Sequence, residues 1–375
     1  MAEHTKGGDL LTVGVDLGDE WSRYCRLDTS GEVAEEGRVR TTEDALQKMF
    51  ARLPRSVVAM ETGTHSPWVE RVVKTCGHEA IVANPRRLRL IYQSTNKTDR
   101  LDAQALARLA RTDRRLLYPI RHRGEEAQAD LSVLRARGAL VEARTKLVNA
   151  VRGMLKSFGK RVKKCDTGVF AEKAAEAVPK AMKPAIDPLL ETIKTLSEKI
   201  AAYDNTVETA GHSKYPETMV LRQVAGVGPV TALTYVLTLE DPSRFRTSRS
   251  VGAFLGLTAR RAQSSGEDPQ LRITKAGDPT LRRLLVGSAQ YILGPFGPDT
   301  DLRRWGLKLA ERGAKNQKKR AVVAVARKLA VLLHRLWMTH EDYEPLRNAA
   351  RTKTPKKEDT AKETTRSETY VLKEG

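Results

Sequence analysis

The stretch LLTVGVDLG, Leu10–Gly18, is the segment that decides the fold. It is a short apolar run that ends in an acid and a glycine, which is typical of a buried strand followed by a turn. Apolar–polar alternation follows at Trp21–Leu27, and a return strand is expected through Gly31–Val39. The sequence therefore predicts that the chain begins with a meander of three strands.

Helices and strands alternate after the meander. The predicted elements are a helix from Thr41 or Thr42 through Leu53, a strand at Ser56–Gly63, a helix around Trp68–Thr75 and a strand at Ala80–Asn84. A meander followed by such alternation predicts an α/β domain, a mixed sheet with helices on its faces. We expect this domain to span residues 10–124, after a loose leader at residues 1–9.

The rest of the sequence is helical and strongly basic. Apolar residues recur at helical spacing over Glu125–Lys160 and Ala171–Thr206, which predicts a coiled-coil-like segment at residues 125–215. A mainly α-helical domain is expected at residues 216–345. Residues 346–375 are polar, charged and nearly free of aromatic side chains, so a disordered tail is expected there.

The charge balance indicates an anionic partner. The chain has 66 Lys and Arg against 46 Asp and Glu, a formal net charge of +20. Phosphate backbones neutralise such a charge through Coulomb attraction and counterion release. The sequence has no apolar run of transmembrane length and no signal peptide, so no membrane partner is expected. Cys25, Cys76 and Cys165 are too far apart for a CxxC zinc site, and a cytoplasmic, nucleoid-associated location is expected.

Four acids are candidates to hold a metal ion. Asp16 and Glu61 each end a predicted buried strand, where a carboxylate costs desolvation energy unless a cation compensates it. Asp99 and Asp102, in KTDRLDAQALARLAR, lie three residues apart at the start of a helical segment, so both point to one side. Taken singly, Asp16 also suits a turn, Asp99 an N-cap and Asp102 an ion pair with a neighbouring arginine. Two acids at strand ends and then a helical D-x-x-D, after a three-stranded meander, match the order of acids in ribonuclease-H-like nucleases.

The second half of the sequence contains candidate nucleic-acid contacts. In LRQVAGVGPVTALTYVLTL (Leu221–Leu239), Gly226 and Gly228 suit either a helix-hairpin-helix that binds a phosphate or a plain turn between packed helices. Further on, Ser264 and Ser265 lie between two pairs of cations. Those cations are Arg260, Arg261, Arg272 and Lys275. They would neutralise the charge that develops when a serine hydroxyl attacks a phosphodiester. A Ser-Ser-Gly sequence is also typical of an ordinary loop.

A last basic cluster begins the helical stretch Lys315–Trp337. Its apolar stripe predicts a core helix with a charged entrance. Lys318, Lys319 and Arg320 are candidates to reach a phosphate.

These motifs resemble a known family. GVDLG, METG and the K-T-D-R-x-D-A segment are similar to the three acidic motifs of the DEDD transposases of bacterial insertion sequences, the family numbered one-ten, known as bridge-RNA-guided recombinases. G-V-G-P, G-L-T, Q-S, I-T-K-x-G and L-R-R resemble that family's C-terminal domain. The resemblance covers about Leu10–Trp337. It implies a RuvC-like (ribonuclease-H-like) N-terminal domain and DNA excision and insertion by strand exchange.

The resemblance also implies roles for single residues and partners. Asp16, Glu61, Asp99 and Asp102 would bind Mg²⁺, with Mn²⁺ as a substitute. Ser264 would be the nucleophile, with Ser265 as the other candidate. Donor DNA, target DNA and a structured noncoding guide RNA would be the partners, the RNA on the basic stretches Arg86–Arg123 and Lys156–Lys164, in a dimer or tetramer whose subunits share the active site.

Three other functions suit parts of the sequence. A RuvC-like structure-specific endonuclease would use the carboxylates for hydrolysis and would not need the serine. A sugar kinase or actin-like ATPase would suit DLG and ETGT, but it would also need a glycine-rich adenosine motif and would not need the basic excess. A non-catalytic nucleic-acid-binding protein would need none of the four acids.

Overall fold

The computed structural model describes residues 10–88, 99–263, 271–313 and 316–348. They belong to two compact units, residues 1–124 and residues 125–375. The leader at residues 1–9 lies outside the described residues, as does the expected tail from residue 349 onward.

Unit 1 is a mixed α/β domain, as the sequence predicts. Its strands are β1 (Leu11–Asp16), β2 (Trp21–Leu27), β3 (Val33–Arg40), β4 (Ser56–Glu61) and β5 (Glu79–Ala83). Its helices are α1 (Glu43–Ala51), α2 (Ser66–Thr75), α3 (Pro85–Leu88) and α4 (Asp99–Thr112), with a 3₁₀ turn at Arg114–Leu117. Thr42 occupies the N-cap position of α1. The strands form a five-stranded sheet in the order β3-β2-β1-β4-β5.

The sheet combines two kinds of pairing. β1, β2 and β3 pair antiparallel as a meander, whereas β4 pairs parallel with both β1 and β5. Side chains alternate between the faces along each strand. On one face, Val13, Val15, Val58 and Met60 pack against α1 and α2. On the other face, Val57 and Ala59 of β4 pack against α4, and so do Cys25 and Leu27 of β2.

Unit 2 is helical in its described residues, apart from one isolated β-bridge. Its helices are α5 (Glu125–Ser157), α6 (Phe170–Ala175), α7 (Lys183–Ser213), α8 (Glu217–Arg222), α9 (Pro229–Leu239), α10 (Ser248–Phe254), α11 (Pro279–Leu293), α12 (Asp301–Ala310) and α13 (Gln317–Thr339). Helices α9 and α13 both contribute to the core cluster with the most buried residues, where Tyr235 is fully buried and its hydroxyl donates to Ala330 O at 2.7 Å.

The predicted stretch Ala171–Thr206 is broken in the structure. Helix α6 ends at Ala175, and α7 starts only at Lys183. Pro179 has an extended backbone with a ψ of 148°, which interrupts the helix at this point, whereas Pro188 is accommodated inside α7. The sequence predicts a domain boundary at residue 216, and the residues on both sides of it belong to unit 2. Leu233 and Leu237 of α9 share a core cluster with Val207 of α7.

No helix in the described part of the chain is both long enough and apolar enough to cross a membrane.

Candidate functional site

The carboxyl ends of β1 and β4 bring two of the candidate acids side by side. These neighbouring parallel strands pair through Val15 and Met60, and Asp16 and Glu61 are the residues that follow. Both acids share the strand parity of the residues that face α4, namely Gly14 in β1 and Ala59 in β4. Asp16 and Glu61 are half-buried. They therefore lie at one edge and on one face of the sheet.

Helix α4 runs antiparallel to β1, which brings its first turn to the same edge. Arg111, near the end of α4, donates to Asp28 O at 3.3 Å, in the turn beside the amino end of β1. Arg100, at its start, forms a 2.6 Å ion pair with Glu36 of β3. The first turn of α4 carries Asp99 and Asp102, so the fold brings these acids toward the carboxyl end of β1.

Gly14 allows the close contact between β1 and α4. A Cβ atom at Gly14 would lie 2.0 Å from Ala103 O and 2.6 Å from Ala107 N, so a larger residue would separate the helix from the strand. Gly14 lies two residues before Asp16, and Ala103 directly follows Asp102. The same contact that packs the core therefore sets the position of Asp102 relative to Asp16.

Two turns at this edge are held by polar contacts that the sequence did not indicate. After Glu61, Ser66 Oγ donates to Gly63 O at 2.9 Å and forms a 2.8 Å hydrogen bond with His122 Nε2. Burial lowers the pKa of His122, which favours its neutral form. His65 Nε2 lies 3.3 Å from Asp19 Oδ1, a contact between the turns that follow β4 and β1. Only the topology reveals these partners, because their sequence separation is long.

Carboxylate oxygens are the ligands that Mg²⁺ prefers, so the four acids suit that ion in kind. In the described residues, however, no three Asp, Glu, His or Cys side chains form a group placed to hold a metal ion. Asp99 is exposed, and Asp102 is half-buried. The backbone brings the four acids to one edge of the sheet without gathering their side chains into a ligand set.

In unit 2, the two predicted glycines line a groove. Gly226 has a positive φ of 81°, and Gly228 occupies the N-cap position of α9. The groove, of about 570 Å³, lies between this turn and α11 and also includes Arg222, Arg283 and Tyr291. A Cβ atom at Gly228 would contact nothing within 4 Å, so the start of α9 is open. The turn is thus shaped to admit a ligand, although Pro229 removes one backbone donor.

The predicted nucleophilic serines lie outside the described residues, but both ends of their segment are described. Ala259 and Ile273 form an antiparallel bridge, and Arg260 N donates to Arg272 O at 2.9 Å. Arg260 and Arg272 are exposed and meet across this bridge, and Arg261 and Lys275 are exposed as well. Ser264 and Ser265 belong to the chain that continues from the bridge.

Two glycines allow the backbone segments before and after that bridge to approach each other closely. Gly256 and Gly277 have positive φ values of 68° and 70°. A Cβ atom at Gly256 would lie 2.2 Å from Ala276 N, and one at Gly277 would lie 2.2 Å from Phe254 O. Only glycine suits these positions, since both the dihedral angle and the space exclude a side chain. This close approach joins the end of α10 to the start of α11.

The remaining predicted cations are exposed. Lys318, Lys319 and Arg320 lie in the first turns of α13, a helix with no acid in its first turn. Positive charge there opposes the helix dipole, which a bound anion would relieve. The basic stretch that begins in the last turn of α5 and continues beyond it has five exposed cations, Lys156, Lys160, Arg161, Lys163 and Lys164. Part of the stretch Arg86–Arg123, residues 89–98, lies outside the described residues.

Comparison with known proteins gives two family matches. Residues 13–159 match a family model described as Transposase, and residues 219–300 match one described as Transposase IS116/IS110/IS902 family.

Individual relatives resemble most of the chain. The transposase for insertion sequence element IS1111A of Coxiella burnetii is 29% identical over 89% of this chain and 92% of its own length. A probable family 20 transposase of Pseudomonas aeruginosa is 28% identical over 90% and 99%. The transposase for insertion sequence element IS1328 of Yersinia enterocolitica is 29% identical over 76% and 84%.

Proposed function

The chain belongs to the IS116/IS110/IS902 family of insertion-sequence transposases, and we propose that it excises and inserts DNA by strand exchange at a carboxylate site that acts with a serine nucleophile. The observation that carries this proposal is the edge where β1 and β4 end. Asp16 and Glu61 lie there on neighbouring strands, and the first turn of α4 brings Asp99 and Asp102 toward the same edge. A strand order of β3-β2-β1-β4-β5, with an antiparallel meander and parallel β4 and β5, supports a RuvC-like domain.

Asp16, Glu61, Asp99 and Asp102 would hold Mg²⁺, or Mn²⁺ in its place. When bound there, the ion would supply Lewis acidity to the scissile phosphate. The protein's own contribution is to align the acids on one strand edge. Like charges on neighbouring carboxylates repel one another, and a bound divalent cation would offset that repulsion.

Ser264 is the proposed nucleophile, and Ser265 is the alternative. As Ser264 Oγ bonds to phosphorus, its proton is released to solvent and the bond from phosphorus to one deoxyribose oxygen breaks. The departing oxygen takes up a proton from solvent and leaves as a hydroxyl group. The resulting phosphoserine conserves the bond energy until a second DNA end displaces the serine. Arg260 and Arg272 at the base of the segment support this role, because their charge stabilises the anionic phosphate.

The DNA partners and a guide RNA would bind to basic surfaces of the two units. The turn at Gly226 and Gly228 and the first turns of α13, with Lys318, Lys319 and Arg320, are proposed DNA contacts. The exposed cations at Lys156–Lys164 are proposed for a structured noncoding RNA. Target choice would then depend on base pairing. A dimer or tetramer is the proposed assembly.

A trapping assay tests the proposed chemistry. The full chain, its element's DNA and flanking RNA, and Mg²⁺ are incubated, and protein–DNA adducts are separated on a denaturing gel. We expect an adduct with the wild type and with Ser265→Ala, and none with Ser264→Ala or Asp16→Asn. Loss with Ser265→Ala alone would move the nucleophile by one residue. Cleavage without an adduct in any variant would establish instead a RuvC-like endonuclease that acts by hydrolysis.

A further inference from the structure

Beside the carboxylate edge, β2 and β3 expose an aromatic ring between arginines. Trp21, the first residue of β2, is 38% exposed although it is a large hydrophobic residue. The guanidinium of Arg38 lies 4.6 Å from the centre of its ring, and that of Arg40 lies 5.0 Å away. Cation–π contacts of this kind hold long, flexible arginine side chains in place. We name Trp21, Arg23, Arg38 and Arg40 the β2–β3 basic surface.

The strand register connects this surface to the candidate active site. Asp16 of β1 pairs with Arg23 of β2, and Arg23 pairs with Arg38 of β3. Residues opposite one another on neighbouring strands point to the same face of a sheet. Trp21 pairs with Arg40 in the next row. The three arginines and the tryptophan are therefore on the face to which Asp16 points, one and two strands away from it.

The positive charge of this surface is not neutralised within the described part of the chain. Glu35 is paired with Arg26 at 3.2 Å, and Glu36 is paired with Arg100 at 2.6 Å. Among the described residues, no carboxylate forms an ion pair with Arg23, Arg38 or Arg40, and all three side chains are exposed. An alternative role for charged side chains on the edge strand β3 is to prevent pairing with another sheet. That role does not require an aromatic ring that aligns two guanidinium groups.

We propose that the β2–β3 basic surface binds the phosphate backbone of the DNA strand that enters the carboxylate edge. The inference rests on the proposed function and extends it to residues outside the catalytic tetrad. A cluster of carboxylates repels DNA, so cations on the same face of the sheet as Asp16 are needed to bring a phosphate chain close to it. Planar guanidinium groups bind phosphates with two parallel hydrogen bonds. DNA is the proposed ligand because the surface continues the row that contains Asp16.

Trp21 acts as a positioning residue in this proposal. Its ring orders Arg38 and Arg40 before DNA arrives, so less side-chain freedom is lost on binding. Trp21→Ala is expected to weaken DNA binding about twofold to fivefold, the effect of an exposed cation–π contact. Trp21→Phe retains an aromatic face and is expected to restore most of that loss.

The test is the salt dependence of binding. The full chain is titrated against a fluorescein-labelled DNA duplex of mixed sequence between about 50 and 200 mM salt, and each arginine that contacts a phosphate contributes about 0.9 to the slope of log K against log salt. The double variant Arg38→Gln, Arg40→Gln should therefore have a slope that is smaller by about 2. The ratio of its dissociation constant to that of the wild type should fall about tenfold between about 50 and 200 mM salt. The matched control is Lys194→Gln with Lys199→Gln, an equal charge change at two exposed positions of α7 in unit 2. An RNA duplex of the same sequence is titrated in parallel.

Each result has one meaning. A lower slope in the Arg38 and Arg40 double variant, with an unchanged slope in the control, is the expected outcome. Equal slopes in the two double variants would overturn the surface and leave the proposed function intact. A slope change with RNA alone would overturn the assignment to DNA. A wild-type chain without salt-dependent DNA binding would overturn both proposals, whereas a slope change without a serine adduct would leave the surface and reject the nucleophile.

Discussion

Gly14 affects both the packing of α4 on β1 and the position of Asp102 in the proposed site. The 2.0 Å separation between a hypothetical Cβ atom at Gly14 and Ala103 O leaves no room for even one methyl group. Ala103 O is a backbone atom, and a Cβ atom is attached rigidly to the backbone. Rotation of a side chain therefore cannot relieve the contact. Any substitution must move α4 away from β1, and Asp102 moves with it.

We expect Gly14→Ala to lower the free energy of unfolding by about 1–3 kcal/mol, as overpacking in a filled core does. The control is Gly63→Ala, two residues after Glu61, where a Cβ atom would meet nothing within 4 Å. That exposed change should stay within about 0.5 kcal/mol of the wild type. Urea unfolding of both variants measures the difference. Equal midpoints would mean that α4 does not approach β1 as closely as described.

Cys25 illustrates the same interface from the side of β2. It is fully buried in the cluster with Ala103 and Ala107 of α4. Burial raises the pKa of its thiol to about 11, so the thiolate is scarce at neutral pH. The residue therefore acts as a small core side chain, in keeping with a sequence whose cysteines form no metal motif.

At the scale of elements, a polar cluster joins the start of α5 to the end of α7. Asp130 accepts hydrogen bonds from Lys214 and from Tyr215 Oη, the latter at 2.6 Å. Lys214 also pairs with Glu126 at 2.7 Å. Burial raises the pKa of Asp130, but the hydrogen bonds from Lys214 and Tyr215 outweigh it, so the pKa lies below its ordinary value of 3.8.

Asp130→Asn should therefore destabilise the chain in a pH-dependent way. A carboxyl group whose pKa is lowered by folding stabilises the folded state above its ordinary pKa, and that contribution disappears as the pH falls through the folded-state value. We expect a loss of about 1–2 kcal/mol near neutral pH, the size of a partly exposed charged hydrogen bond. Urea unfolding at about pH 7 and about pH 3 should show the deficit shrinking in acid. Glu198→Gln, an exposed change in α7, should show no such trend.

At the scale of the whole molecule, each of the two units has apolar core clusters of its own among the described residues. The clusters around β1, β4 and α4 consist of residues of unit 1 only, and those around α5, α7, α9 and α13 consist of residues of unit 2 only. Apolar burial is the main favourable contribution to folding. Each unit thus has its own source of stability.

We expect a fragment of residues 1–124 to fold by itself. Its circular dichroism should contain both strand and helix signals, and its urea unfolding should be a single cooperative transition with a slope of about 1–3 kcal/mol per molar. The full chain should show the same transition together with that of unit 2. A fragment that unfolds without cooperativity would mean that unit 1 needs the rest of the chain to form its core.

Local patterns were sufficient to predict most elements of unit 1. Alternation at Trp21–Leu27 and the apolar run at Ser56–Gly63 became β2 and β4, since burial on one or both faces leaves a pattern of period two or an unbroken run. The same reasoning missed the break between α6 and α7, where Pro179 outweighed the apolar spacing. Acids at strand ends and the D-x-x-D of α4 are equally local, so all four carboxylates were recognisable as candidates. Their convergence as metal ligands stays a prediction.

Register and packing carry no local signature, because they depend on which residues meet across long separations. No pattern in the sequence pairs Arg23 with Asp16 or sets Arg38 and Arg40 around Trp21, and no motif connects Ser66 to His122. These contacts exist because strands β1 to β3 align in one register and because Gly14 lets α4 lie directly on β1. The residue types and their order thus indicated the chemistry, while the direction in which each side chain points followed from long-range pairing of the backbone.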